Sequence, residues 1–468
     1  MNTNNQPYEC GNVQPRWMTR RDMLKSVSAG FGWLAFQGLS AQLAAAENRH
    51  PLAPKAPHFP ARAKRVIFLA MQGAPACQDT FDYKPKLTAD SGKPGPGKAG
   101  NKLFGSPFQF AQHGQSGQWI SELFPNVAKH ADELCLIRGM HTDIPNHPQA
   151  FVQLHTGSSQ FVRPSLGAWT LYGLGTENEN LPGFVTIAPP IQFGAQNYGS
   201  AFLPAIYQGT RLGAQKDGGG TATIENIRNP DMVGNAQRQQ LDLVQAMNQD
   251  FLKTSSGNPE VEGVIQSYEL AFRMQTEVPR VMDLKTESQA TLDMYGIGRG
   301  VSDGFGRQCL MARRLAEAGV RHIEVCHGGW DQHQNLKSTL TKNCASTDQP
   351  IAALLTDLKQ RGLLDDTLVL WGGEFGRTPD GKRPDGRDHN AKGYTMWMAG
   401  GGVRGGLSYG ATDDYGAQAV ENPVHVHDLH ATVLALLGLD HEKLTYRYAG
   451  RDFRLTDVHG RVVKEIFA

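Results

Sequence analysis

The sequence lacks several features that would fix its class at once. It has almost no net charge: 46 Lys and Arg against 45 Asp and Glu leave +1 over 468 residues. A nucleic-acid backbone binder needs a concentrated basic face, so nucleic acid is excluded as a general partner. Six cysteines are present, at 10, 77, 135, 309, 326 and 344, and no two have CxxC spacing. A structural zinc motif is therefore not expected. There is no internal repeat, and no uninterrupted run of the ~20 apolar residues that a stable membrane span requires. Histidine is missing from a long central window: none of the 16 lies between residues 156 and 321. Histidine chemistry must then sit in the two flanking segments. What remains is a globular composition, 40% hydrophobic and 19% charged, with 53 glycines suited to an α/β protein carrying irregular loops.

The first 46 residues read as a targeting segment and not as part of the fold. Thr19-Arg20-Arg21-Asp22-Met23-Leu24-Lys25 matches the twin-arginine pattern, and a Gly-, Ala- and Ser-rich stretch follows to Ala46. Gln37, Ser40 and Gln42 break that stretch too soon for a membrane anchor. The run Ala44-Ala45-Ala46 is a cleavage pattern, so the mature chain should begin near Glu47. The expected location is periplasmic or otherwise exported, with the twin-arginine export machinery as a partner. Cys10 leaves with the leader, and the odd number left argues against a fully paired disulfide framework. Residues 47–63 are a Pro- and Ala-rich linker, and residues 64–468 form the domain.

Within that domain short apolar runs alternate with helical patterns. Residues 65–71, 134–137, 322–326, 367–371 and 394–398 read as buried strands. Helices are expected over 121–132, 304–318, 351–361 and 428–437. This alternation predicts an α/β three-layer sandwich, with a mostly parallel central sheet and helices on both faces. Residues 180–230 read as loop and 231–297 as two or three helices. One of these starts at Asn258-Pro259, with Val261, Val264, Ile265, Tyr268 and Ala271 on one face. Together they predict an insertion or cap over about 180–300.

In an open parallel sheet ligands bind beyond the C-terminal strand ends. Four predicted strands deliver acids or histidines there: Asp79 and Asp82; His141, Asp143 and His147; Asp331 and His333; Glu374, Asp388 and His389. His425 and His427 stand at the start of the last helix, where the alternative to ligation is helix capping involving Asp428. Mixed imidazole and carboxylate donors suit zinc or manganese, as one or two ions.

The order Asp331-x-His333, Glu374-Phe375-Gly376-Arg377-Thr378-Pro379, Gly386-Arg387-Asp388-His389, and then the run from His425 to Asp440, resembles the DUF1501 family. That family is grouped with alkaline phosphatases, sulfatases and cofactor-independent phosphoglycerate mutases. The resemblance extends to Phe81-Asp82-Tyr83-Lys84-Pro85 and to the segment 450–459. It implies an alkaline-phosphatase-like fold and a divalent-metal hydrolase of phosphate or sulfate esters. The substrate would be a small anionic ester or a sulfated or phosphorylated glycan. The implied metal ligands are Asp331, His333, Asp388, His389 and His427, with Glu374 a rival by a second alignment. Arg377, Arg387 and Lys392 are implied to bind the anion. Two departures stand out. Gln72-Gly73 occupies the place of the first ligand aspartate, leaving Asp79 as the nearest substitute, and His147 falls at the nucleophile position. His147 is then a ligand or nucleophile, or a metal-assisted water attacks directly, or the site is not hydrolytic. The alternative function is an exported binding protein that retains the fold.

Overall fold

The computed structural model describes residues 50–97, 99–191, 194–213, 235–254, 259–383 and 385–468. The twin-arginine segment lies outside the described residues. The central sheet starts from β1 (Arg65–Met71), a run of apolar residues in which only Arg65 is not buried. The other strands of this sheet are β2 (Leu134–His141), β3 (Phe184–Ile187), β4 (Thr210–Leu212), β5 (His322–His327), β6 (Thr367–Gly372), β7 (Tyr394–Ala399), β8 (Ser408–Tyr409) and β9 (Val424–His425). Their order is β8-β2-β7-β6-β1-β5-β3-β4, and β9 also pairs with β2. Every pairing is parallel except those of β7, which runs against both β6 and β2.

The principal helices are α1 (His147–Thr156), α2 (Leu166–Leu174), α3 (Ala236–Thr254), α4 (Pro259–Met282), α5 (Asp303–Glu317), α6 (Leu336–Gln360) and α7 (Val426–Leu436). Strand β5 shows why they form two layers. Successive side chains of a strand point to opposite faces. Glu324 meets His155 of α1 at 3.2 Å on one face. His327 meets Phe305 of α5 and Ser346 of α6 on the other. Covered twice, β5, β6 and β7 are buried along their whole length, which is why their sequences do not alternate. The α/β sandwich expected from the sequence is the fold observed.

Differences from the expected elements have local causes. Residues 121–132 end a strand and enter a 3₁₀ turn over Val127–Glu133, not an α-helix. Helix α6 begins 15 residues before the predicted start and continues through Pro350. Strands β3 and β4 fall within the stretch read as loop; four and three residues are too few to show a period. They extend the sheet beyond β5, so the helical segment leaves the sheet only after Leu212. In α4, Ile265, Leu270, Met274, Val278 and Val281 are buried, whereas Val264 and Tyr268 are exposed. Asn258 lies outside the described residues.

The register Met71↔His327 and Ala70↔Gly372 brings the C-terminal ends of β1, β5 and β6 side by side. The loops that leave them form one edge. Among the described residues no helix is long and apolar enough to cross a membrane.

Candidate functional site

At this edge the carboxylate of Asp331 is the centre of convergence. Its Oδ1 lies 3.2 Å from His147 Nε2, 3.1 Å from His333 Nε2 and 3.3 Å from His389 Nε2. The same oxygen accepts a hydrogen bond from Arg377 Nη2 at 2.6 Å. His147, Asp331 and His389 offer ligand atoms within 4.8 Å of one another, the spacing of a metal site.

The far nitrogen of each ring decides what the near one can do. His147 Nδ1 is 2.5 Å from Glu374 Oε1, His333 Nδ1 is 3.2 Å from Asp388 Oδ1, and His389 Nδ1 is 2.9 Å from the carbonyl of Pro145. These partners are acceptors, so each Nδ1 carries the hydrogen. A neutral ring then presents an Nε2 lone pair. Three such Nε2 atoms surround one carboxylate oxygen, an arrangement that repels itself unless a proton or a metal cation lies among them. Second-sphere oxygens that hold a histidine by its other nitrogen are the usual support of a metal ligand.

Without a metal, a proton on His147 balances the charge, and a metal cation would have to displace it. Burial lowers the pKa of His147, but hydrogen bonds and charge from Asp331 and Glu374 outweigh it and raise it to about 9. Burial works against ionisation of Asp331, yet His147, His389 and Arg377 hold it well below the usual carboxylate range. His333 is lowered, first by burial. The spot therefore favours positive charge on its His147 side. It is deep there, with Glu374 fully buried, and opens toward Asp331 and Asp388, whose side chains are 44% and 49% exposed. Phe375 packs against His147 and His389 at 4.7 and 4.8 Å and dries one wall.

Local structure explains how each group arrives. His147 is the first residue of α1, and Pro148 fits the first turn of a helix because it has no N–H to lose. That proline is the signal by which α1 could have been read from the sequence. Gly73, two residues past the end of β1, donates its N–H to Glu374 at 3.1 Å and takes φ +107. Arg377 spends its guanidinium on main-chain oxygens: Ala74 at 3.0 Å, Gly73 at 2.5 Å and Arg387 at 3.3 Å, as well as on Asp331.

Several expected site residues stand elsewhere. Asp79 and Arg387 are fully buried and bonded to each other at 2.7 and 3.1 Å, so neither reaches the cluster. Two peptide carbonyls and the face of Phe104 take up the rest of Arg387. Arg377 is likewise buried and committed, and it positions Asp331 instead of facing an anion. Glu374 and Asp388 sit behind His147 and His333, holding them by Nδ1. His427 donates to the carbonyl of Gly157, at the far end of α1, at 2.8 Å. The rise of α1 puts it about 14 Å from His147 along the helix axis. His425 caps α7: its Nδ1 accepts from the His427 N–H while Asp428 accepts from the His425 N–H. Capping was the alternative reading of this pair. Lys392 is exposed, three residues beyond His389.

A mixed α/β sheet with a histidine–carboxylate cluster at its C-terminal edge defines an α/β protein with a candidate metal centre. The chain belongs to the DUF1501 family of proteins of unknown function, whose model matches residues 63–467. No curated protein sequence matches it. Among solved structures, the PsFucS1 sulfatase from Pseudoalteromonas sp. is 13% identical, with a TM-score of 0.35, 81% of this chain covered and 69% of that one. The lipoteichoic acid synthase LtaP from Listeria monocytogenes is 10% identical, with a TM-score of 0.35 and coverages of 86% and 78%. The alkaline phosphatase from the Antarctic bacterium TAB5 is 12% identical, with a TM-score of 0.31 and coverages of 73% and 92%.

Proposed function

We propose that this protein is an exported, metal-dependent hydrolase of phosphate or sulfate esters, with zinc or manganese held by His147, Asp331, His389 and His333. The observation that carries this reading is the convergence of three imidazole Nε2 atoms on one oxygen of Asp331, each ring fixed by an acceptor at Nδ1. The metal, when bound, supplies Lewis acidity and neutralises charge on the transferring group.

The chain's own residues do the rest. Glu374, Asp388 and the Pro145 carbonyl keep the three histidines in the tautomer that leaves Nε2 free. Arg377 holds Asp331 in place by a charge-assisted bond. Phe375 excludes water from behind His147 and His389. Lys392 is the exposed cation left to attract the ester's anionic group. Hydrolysis adds water across the ester bond: its oxygen joins phosphorus or sulfur, and the alcohol leaves with a proton.

A second reading, an exported binding protein without catalysis, is favoured by one observation. Arg377 and Arg387, the bidentate anion receptors expected from the sequence, are both consumed internally. The deciding experiment measures metal content by mass spectrometry, and hydrolysis of aryl phosphates and aryl sulfates across a panel of divalent ions. Wild type is expected to hold metal and turn over one ester class, and Asp331→Ala with His333→Ala to lose both. Metal bound without turnover would overturn hydrolysis in favour of binding.

A further inference from the structure

A second concavity opens at the far end of α1. It measures about 300 Å³ and lies between the last turn of α1, the loop 158–163 and the C-terminal segment 453–459. Its size is at the low end of small-molecule sites and suits one sugar ring. Phe161 lines it and is 61% exposed, and Val162 beside it is 60% exposed, so the loop presents an apolar surface next to the cavity. Arg163 lies over the rings of Phe161 and Phe453 at 5.1 and 4.6 Å. Among the described residues no carboxylate pairs with it, so its N–H fork is free at the edge of an aromatic platform. Asp143 and Asp457 line the same space. Both are paired, Asp143 with His425 and Gln153 and Asp457 with Arg451, and Arg454 lines the space as well, so their remaining lone pairs act as hydrogen-bond acceptors and not as free charge. A ring with hydroxyl donors for the carboxylates, an apolar face for Phe161 and one acidic group for Arg163 satisfies all of them. The loop is already shaped for this: Ser158 Oγ accepts from the N–H of Phe161 at 3.0 Å, and Thr156 Oγ1 from the N–H of Ser158 at 3.3 Å. A pre-formed loop loses little entropy on binding.

We propose that this cavity is a subsite for an acidic saccharide unit, with the ring against Phe161 and its acidic group on Arg163. The inference rests on the ester-hydrolase reading in one respect. The cavity and the histidine cluster are joined by α1, about 14 Å long, a separation that a chain of a few sugar units spans. The substrate class is then an acidic oligosaccharide lying along α1, and not a free small ester.

Affinity electrophoresis in gels containing dextran sulfate or unsulfated dextran tests this without requiring turnover. Dextran sulfate is expected to retard the wild type strongly and dextran at least tenfold less. Phe161→Ala should weaken retardation about tenfold, and Ser159→Trp, which fills the cavity and leaves Arg163 on its rings, should abolish it. Melting curves check that both variants fold. No retardation of the wild type overturns the proposal. So does undiminished retardation of both cavity variants, or equal retardation by dextran. Wild-type retardation without ester turnover would remove the hydrolase reading and leave the subsite in place.

Discussion

Gly73 shows what one missing β-carbon does for the site. A Cβ there would stand 2.7 Å from Asp331 N and 2.9 Å from Trp330 N, at a φ that L residues rarely adopt. The strand-end loops of β1 and β5 touch only because this position is bare. Gly73→Ala should destabilise the protein by about 2 kcal/mol or more and weaken metal uptake, measured by urea titration and by metal analysis. Sequence alone presents Gln72-Gly73 as the loss of a ligand, because a close approach of two backbones leaves no mark but glycine itself. Arg377 and Arg387 failed as anion receptors for a related reason: a guanidinium looks the same in a sequence whether it faces a substrate or a set of buried carbonyls. Histidines carry a pH prediction. Burial lowers His322 and His327 to about 4 and His430 to about 3. His322 Nδ1 and His430 Nδ1 have no hydrogen-bond partner. An unfolded histidine titrates near 6.5, so the unfolded chain takes up protons first as the pH falls. The stability these groups contribute is complete above about 6.5 and is lost progressively toward 4, by roughly 3 kcal/mol for each. Calorimetry between pH 7 and 5 should show the melting temperature falling, with a smaller slope in His430→Gln.

Helix α1 is the element that organises the functional edge. Its first residue is a cluster histidine, its middle is tied to the sheet by His155 and Glu324, and its last turn borders the second cavity. His155 is raised and Glu324 lowered: burial opposes both charges, and each group's charge and hydrogen bond to the other overcome it. Removing one member of such a pair leaves the other charge buried, at a cost of about 3–5 kcal/mol. Glu324→Ala should therefore destabilise the fold by that order in urea titration, and its melting curve should no longer respond to added metal as wild type does. The central strands were legible because their apolar runs are continuous, and α5 and α7 because their periods are long. By contrast α1 was not, since half its buried side chains are polar or ionisable: Gln153, His155 and Thr156. Without an apolar stripe, only Asn146-His147-Pro148 marks where it starts.

At the scale of the molecule, a cation at the histidine cluster would tie together loops from β2, β5 and β6. A ligand that binds only the folded state stabilises it by mass action. Chelation should lower the melting temperature, and re-addition of zinc or manganese should restore it; an unchanged melting curve would mean that the fold closes without the ion. The sequence pointed to this edge through four strand ends, though not to which acids stand behind the histidines, because that depends on loop geometry spanning more than 200 residues. The cysteines have a consequence for the order of events in the protein's life. All five described ones are buried and unpaired. None of these five meets an oxidant in the folded state, so a thiol-reactive dye should label none of them until denaturant is added and then all of them. An unfolded chain in an oxidising compartment would expose them, free to mispair among themselves and with neighbouring chains. If the chain is exported as proposed, the safe itinerary is to complete the fold where thiols stay reduced and only afterwards to travel.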